Sequence, residues 1–392
     1  MATLPDPGPA VAVAVSGGPD STALALLLRD WARDAGCTMT ALIVDHGLRA
    51  GSGTEAALVA RRLSAAAVEA VILHWDGDKP STGIQARARD ARYGLMLDWC
   101  RGQGIGSLFV GHHADDQAAT VAMRIERGSG LDGIAAMRAV THRDGVGLYR
   151  PLLGVPKADL VGYLAANDLA WVDDPTNADL RHERNRFDRA LADHHYPAQH
   201  RDRLNRLGAR ASRASDALQS WTEQVWQACA RTGAAGEVTL DTEAFLAVPE
   251  EIRLRLLIRA AARAGGHVPG LEKAERTLER LQGDASPTAL TLGHAVIRRS
   301  GTVLRLVREG RNLPHVDWLP GEETSLNWDG RFRLLASGAF HCPVTVGPGV
   351  ADTALLPCVY LKHEMLGSPV QGRVVLPDGV QVHARALYPP EG

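Results

Sequence analysis

Residues 11–22 read VAVAVSGGPDST. Five small apolar residues run straight into two glycines, a proline and an aspartate flanked by serines, the pattern of a buried strand, a tight turn and a helix start. Adjacent glycines let the backbone turn sharply and aim its N–H groups at a ligand. Ser21 and Thr22 then open a helix, whose first N–H groups and positive dipole end favour an anion. Yet neither G-x-x-x-x-G-K-[ST] nor G-x-G-x-x-G fits over Ser16, Gly17, Gly18, Pro19, Asp20 and Ser21. A turn of this kind holds pyrophosphate without a lysine. Asp20 repels phosphate unless a divalent cation lies between them, so Asp20 is a candidate Mg²⁺ ligand; the plainer alternative is a strand–turn–helix connection capped by Asp20.

Outward from this turn the chain alternates between strand and helix. Val11–Val15, Thr40–Gly47, Glu69–Trp75, Gly106–His113 and Gly145–Leu153 read as five strands, separated by amphipathic helices. Short, nearly all-apolar strands between helices imply an α/β fold, a five-stranded, Rossmann-like parallel sheet covered on both faces. Ligands of such sheets bind at the carboxyl ends of the strands, so the stretches after Val15, Val44 and Val110 should meet in one crevice. Beyond Tyr196 the text turns helical, with Leu204, Leu207, Ala211 and Ala214 as an expected apolar face. From Ala289 on it reads as strands with Gly/Pro turns. The expected domains are 1–196, 197–288 (helical) and 289–392 (β-rich).

Composition narrows the class. Of 392 residues 45% are apolar and 22% charged, the balance of a globular protein. The long uncharged stretch Leu334–Ala351 contains prolines, glycines and a histidine, which argues against a membrane span, and no basic segment precedes the first apolar run. Five widely spaced cysteines without Cys-x-x-Cys suit a reducing cytoplasm. Net charge is −2, but the charge is uneven: residues 181–215 hold nine arginines and four histidines against four acids, a patch able to dock phosphates. Only four of the 43 basic residues are lysines.

SGGPDS resembles the S-G-G-x-D-S signature of the PP-loop ATP pyrophosphatases, which cleave ATP between the α and β phosphates. Further segments are similar to one branch, the tRNA(Ile)-lysidine synthase family. They are IVDHGLR (43–49), IQARARDARYGLM (84–96), GHHADDQAATVAMRIERGSG (111–130), RPLL (150–153) and DDPTNADLRHERNR (173–186), over roughly residues 10–190. Where the family has Glu after D-D-Q-A, this chain has Ala119. On a helix from Ala114, Ala119 shares a face with Asp115, so weight falls on Asp115 and Asp116.

The resemblance implies ATP and Mg²⁺ as cofactors, free L-lysine and a tRNA(Ile) with anticodon CAU as partners, and no membrane; it leaves a homodimer open. The implied reaction adenylates the first anticodon cytidine and then joins lysine to its C2, giving lysidine, AMP and pyrophosphate. The 16–21 turn, Val44, His46 and His112 would bind ATP, with Asp20 and Asp116 on the metal. Asp45 or Asp115 would meet the lysine amine. Arg127 would neutralise phosphate or simply cap a helix. Arg89, Arg92, Arg184, Asn185 and Arg186 would touch tRNA, the last three alternatively closing over ATP. Two histidines beside two aspartates also fit a transition metal. A tRNA 2-thiolation enzyme and a non-catalytic tRNA- or ATP-binding module are the competing readings; the first lacks a cysteine near any of these loops.

Overall fold

The computed structural model describes residues 8–48, 51–76, 84–172, 186–187, 189–190, 197–282, 289–319, 325–337, 344–349, 355–361, 364–376 and 380–386. The chain divides into two compact units, Met1–Ser215 and Asp216–Gly392.

In the first unit the elements are β1 (Ala10–Ala14), α1 (Pro19–Ala35), β2 (Thr38–Asp45), α2 (Ser52–Ala65), β3 (Glu69–His74) and α3 (Ile84–Gly102). Next come β4 (Ser107–Phe109), α4 (Ala114–Glu126), α5 (Leu131–Ile134), β5 (Val140–Arg143), β6 (Val146–Tyr149) and α6 (Lys157–Ala166). The sheet order is β3-β2-β1-β4-β6-β5. The first five strands are mutually parallel, as the α/β rhythm implied. The sheet has a sixth, however: β5 pairs antiparallel with β6 at the edge. Strand alternation sends Val11, Val13 and Ile43 into one core with α1, α2 and α6, and Ala12, Leu42 and Leu108 into another with Met96 and Leu97 of α3. Both faces are therefore dry, and the carboxyl edge is left for chemistry.

Helix α7 (Pro197–Cys229) begins in this unit. Asn205 donates to the Ala114 carbonyl (3.0 Å), Gly208 approaches Val121, and Ser215 donates to Asp132 (2.6 Å). The sequence-based break at 196/197 precedes these contacts. The expected apolar face is also corrected: Ala211 is buried, but Leu207 and Ala214 are exposed, because polar Arg201, Asn205 and Ser215 form the packed side.

In the second unit β7 (Ala230–Thr232), β8 (Val238–Asp241), β9 (Leu290–Leu292), β10 (Ala295–Ser300) and β11 (Val303–Arg308) form one antiparallel sheet, ordered β7-β8-β11-β10-β9. Its core takes in α8 (Thr242–Leu246), α9 (Glu250–Gly265) and α10 (Leu271–Gln282). The ladder from β8 to β11 crosses 288/289, so the expected boundary there runs through a sheet. Two further four-stranded sheets share a second core around Trp318, Trp328, Phe332 and Val346. Among the described residues no helix is long and apolar enough to cross a membrane.

Candidate active site

β1 carries the chain to the carboxyl edge, where residues 16–18 turn it into α1. Gly17 has φ +89°, and a Cβ there would lie 2.5 Å from Val59 Cγ2, so neither conformation nor space admits a larger residue. Gly18 is the N-cap and Pro19 stands in the first turn, where no amide is needed. No side chain caps α1, which leaves its first amides available to an anion. Ser16 N–H donates to Ser21 Oγ (3.2 Å), and Ser21 Oγ donates to the Gly18 carbonyl (3.2 Å), closing the turn on itself. The Gly17 carbonyl accepts from Val172 N–H (2.9 Å).

The loop after β4 comes against this turn because residue 111 is glycine: a Cβ there would sit 3.1 Å from Ser21 Cα and 3.2 Å from the Asp20 carbonyl oxygen. His113 is therefore delivered beside Asp20, 5% exposed, at the N-cap of α4. Its Nε2 lies 3.6 Å from both Asp20 Oδ2 and Asp116 Oδ2, and its Nδ1 lies 3.6 Å from Asp115 Oδ2. His113 N–H donates to Asp116 Oδ2 (3.0 Å). Asp115 Oδ2 accepts the backbone N–H of Lys157 (2.8 Å), and its Oδ1 faces Arg201 at 3.6 Å. Lys157 Nζ stands 3.8 Å from Asp20 Oδ2.

Three carboxylates are thus interleaved with three cations. Burial alone lowers the pKa of His113, but hydrogen bonds to Asp115 and Asp20 and the charges of Asp116 and Asp20 outweigh it, raising the value to about 9. In that imidazolium both ring nitrogens face carboxylates as ion pairs at 3.6 Å, whereas the 3.4 Å contact in which Nδ1 accepts Asp116 N–H belongs to the neutral form. Burial would raise Asp115, yet His113, the Lys157 amide and Arg201 hold it at about 2. One oxygen is left over: Asp20 Oδ1 is buried without a hydrogen-bond partner. An orphaned carboxylate oxygen beside a phosphate-holding turn suits a hard cation such as Mg²⁺, which is commonly held by one or two carboxylates and completed by substrate phosphates and water. Among the described residues no trio of His, Cys, Asp and Glu side chains is arranged to hold a metal ion alone.

The other expected site residues are dispersed over the first unit. Asp45, at the end of β2, accepts Gly47 N–H (3.0 Å) and Ser52 Oγ–H (2.6 Å) on Oδ1, with His74 3.7 Å from Oδ2. Val44 precedes it on the strand, and His46 lies edge-on to Trp75. His112 follows β4 at the same edge as the turn, its N–H donating to Val110 O (3.0 Å). Arg89 and Arg92 stand over the Tyr93 ring on α3. Arg127 is the exposed C-cap of α4, the second of its two expected readings, and at 1.5 Å per residue it lies roughly 16 Å along the helix from Asp116. Ala119 is fully buried one turn above Asp115. Arg184 and Asn185 fall outside the described residues, and Arg186 is exposed.

Comparison with known proteins matches this geometry to a family. A family model described as a PP-loop domain matches residues 2–195, which implies ATP binding. The chain is 41% identical to the tRNA(Ile)-lysidine synthase of Rhodopseudomonas palustris, over 77% of this chain and 92% of that relative. It is 34% identical to that of Ruegeria pomeroyi, over 92% and 88%, and 33% identical to that of Wolbachia pipientis wMel, over 86% and 79%. The chain belongs to the tRNA(Ile)-lysidine synthase family. Among solved structures, a U34-tRNA thiolase, NcsA, from Methanococcus maripaludis aligns with TM-score 0.46 and 18% identity, over 52% of this chain and 72% of that one.

Two members of the charged cluster, Lys157 and Arg201, were not among the expected site residues, and His113 entered only beside His112 in the crevice and its transition-metal alternative. His113 is the buried partner of the doublet in which His112 was favoured. Lys157 carried a signal: in a chain with only four lysines among 43 basic residues, a lysine just after RPLLGVP stands out. Arg201 had none beyond its place in the basic patch.

Proposed function

We propose that this chain joins free L-lysine to C2 of the first anticodon cytidine of a CAU-bearing tRNA(Ile), consuming ATP and releasing AMP and pyrophosphate. The cytidine O2 attacks the α-phosphorus, forming the O–P bond as the bond to the β-phosphate oxygen breaks. The uncapped start of α1 and the Gly17–Gly18 amides receive the charge that moves onto pyrophosphate. The lysine ε-amine, having lost its extra proton to solvent, then attacks C2; the C2–O bond breaks, AMP leaves with the oxygen, and the proton shed from the new C–N bond passes to water. Asp20 and Asp116 are the residues that would hold Mg²⁺, which when bound neutralises phosphate charge.

Asp115 and Asp45 act in this scheme as positioning residues rather than bases. Asp115 is held near pKa 2 and pins the start of α6, while Asp45 ties down the loop that follows β2. The balanced cluster of three acids and three cations becomes net negative when a nucleoside triphosphate arrives, which draws in the ammonium of lysine. Support for RNA as the other substrate comes from α7, where Arg203, Arg206, Arg210 and Arg213 are all exposed at helical spacing along one stripe about 15 Å long.

The observation that carries this proposal is the partnerless Asp20 Oδ1 in a lysine-free phosphate turn. Asp20→Ala is expected to lower ATP-dependent attachment of labelled lysine to tRNA by roughly a hundredfold or more, with tRNA affinity preserved. Wild-type incorporation in that variant sinks the assignment.

A further inference from the structure

A cavity of about 150 Å³ opens between α1, the end of α2 and the chain that follows α6, and it takes no part in the chemistry above. Leu26, Val59, Leu63, Leu169 and Trp171 make its walls apolar. Two side chains of opposite charge also line it, Arg62 on α2 and Asp168 just after α6. Arg62 Nη1 is buried without an acceptor, and neither side chain has an ion-pair or hydrogen-bond partner among the described residues. The two therefore lie beyond pairing distance of each other on the walls of one space. An acceptorless guanidinium nitrogen is no site by itself, since Arg253 has one too. Here it shares a cavity with an unpaired acid.

On local grounds Asp168 is a poor choice for its place. Its φ is +52°, and Leu169 N–H closes the end of α6 on the Leu164 carbonyl (3.0 Å). A left-handed helix end of this kind suits Gly or Asn, and a carboxylate there meets the negative end of the helix dipole. A buried guanidinium nitrogen without an acceptor is unfavourable as well. A ligand that carries both charges relieves both costs at once. Gly17 closes the cavity on the side of the 16–21 turn, where a Gly17 Cβ would lie 2.5 Å from Val59 Cγ2, so Val59 packs directly on the turn. The Gly17 carbonyl accepts from Val172 N–H (2.9 Å) and from Thr22 Oγ1–H (3.4 Å), and Thr22 is itself part of the cavity wall.

We propose that this cavity binds a free α-amino acid with an apolar side chain, and that its filling tightens the hold of the 16–21 turn on ATP. The carboxylate meets Arg62, the ammonium meets Asp168, and the side chain enters between Val59, Leu63 and Trp171. A space of this size admits a group as large as benzene, and hence the smaller side chain of leucine. Lysine does not suit it, because its ε-ammonium would be left among apolar walls. The bound amino acid bridges α2 to residues 168–171, whose neighbour Val172 anchors Gly17, and so restrains the turn before ATP arrives. This coupling rests on the ATP binding that the PP-loop domain implies, and not on the lysine or RNA chemistry.

The test titrates the full chain, without tRNA, with L-leucine, with isocaproate (which lacks the amine) and with isoamylamine (which lacks the carboxylate). The titrations are repeated on Arg62→Gln and Asp168→Asn. Wild type is expected to bind leucine with a Kd on the order of 1 mM, and each half-ligand about tenfold more weakly. Arg62→Gln should weaken leucine and isocaproate about tenfold and leave isoamylamine unchanged. Asp168→Asn should weaken leucine and isoamylamine about threefold and leave isocaproate unchanged. Neither variant should melt below wild type without ligand, since each removes an unpaired charge; a structural role would lower the melt. KM for lysine should not move. Saturating leucine should lower the Kd for ATP about fivefold. Absence of leucine binding overturns the proposal, as does a ranking of the three compounds that neither variant alters, or displacement of leucine by equimolar lysine. An ATP affinity that leucine leaves unchanged overturns the link to the turn.

Discussion

Ser52 does more for Asp45 than any other neighbour. Its hydroxyl donates at 2.6 Å and is the largest influence holding that carboxyl below its ordinary range, with help from Gly47 N–H and the nearby histidines. Because the folded pKa lies below the unfolded one, ionisation of Asp45 favours folding above the ordinary carboxylate range, and that contribution is lost as pH falls through the folded value. Ser52→Ala should therefore raise the Asp45 midpoint toward 3.8 and move the acid limb of the stability curve to higher pH. A carboxyl NMR titration that finds the midpoint unmoved refutes this. At this scale the sequence was legible for residues whose role follows from chain neighbours: Gly17, Gly18, Asp20, Asp115 and Asp116. It was not legible for Arg201, whose partner Asp115 is supplied by a different helix, nor for choosing between His112 and His113. That choice depends on how the loop after β4 bends at Gly111.

Between elements, the decisive contact is the approach of the β4–α4 loop to the start of α1. Gly111→Ala would place a Cβ at 3.1–3.2 Å from backbone atoms of Ser21 and Asp20, which cannot swing aside as a side chain can. The two helix starts must part by a few tenths of an ångström. The expected result is a stability loss of about 1–3 kcal/mol in denaturant melts and a fall in kcat/KM of roughly 10- to 100-fold; wild-type kinetics would show the approach to be irrelevant to catalysis. The five parallel strands were readable as apolar runs between helices. β5 was not, since Val140–Arg143 is short and largely exposed and becomes a strand only by pairing with β6. β8 was missed for a similar reason: its four residues are aligned by β11, more than sixty positions later.

At the scale of the whole chain, the second unit depends on one ionic knot. Arg308, at the end of β11, grips Asp329 with two hydrogen bonds (2.9 and 2.7 Å), and Arg331 adds a third (2.8 Å) while donating to the carbonyls of Ala235 and Leu355. All three side chains are almost fully buried. The knot joins the five-stranded sheet to the turn ahead of the strand Phe332–Ala336, and so links the two cores of this unit. Asp329→Ala strands two buried guanidiniums and should cost about 3–5 kcal/mol, read as a lowered melting temperature. An unchanged melt would mean the knot contributes nothing. Periodicity cannot reveal such a link, because both arginines lie in segments that read as ordinary strands.

The Gly17 carbonyl, held by Val172 N–H, has a consequence for how the protein is made. β1 leaves the ribosome before the other strands of its sheet, yet it occupies the middle of that sheet and must wait for Ser107–Phe109 to complete its second edge. The turn that follows must wait longer, until residue 172 has emerged. A nascent chain that has reached only β3 carries all of SGGPDS without the bond that anchors it. The 16–21 turn, made before all but one strand of its sheet, is finished only after nearly the whole of that sheet has been synthesised.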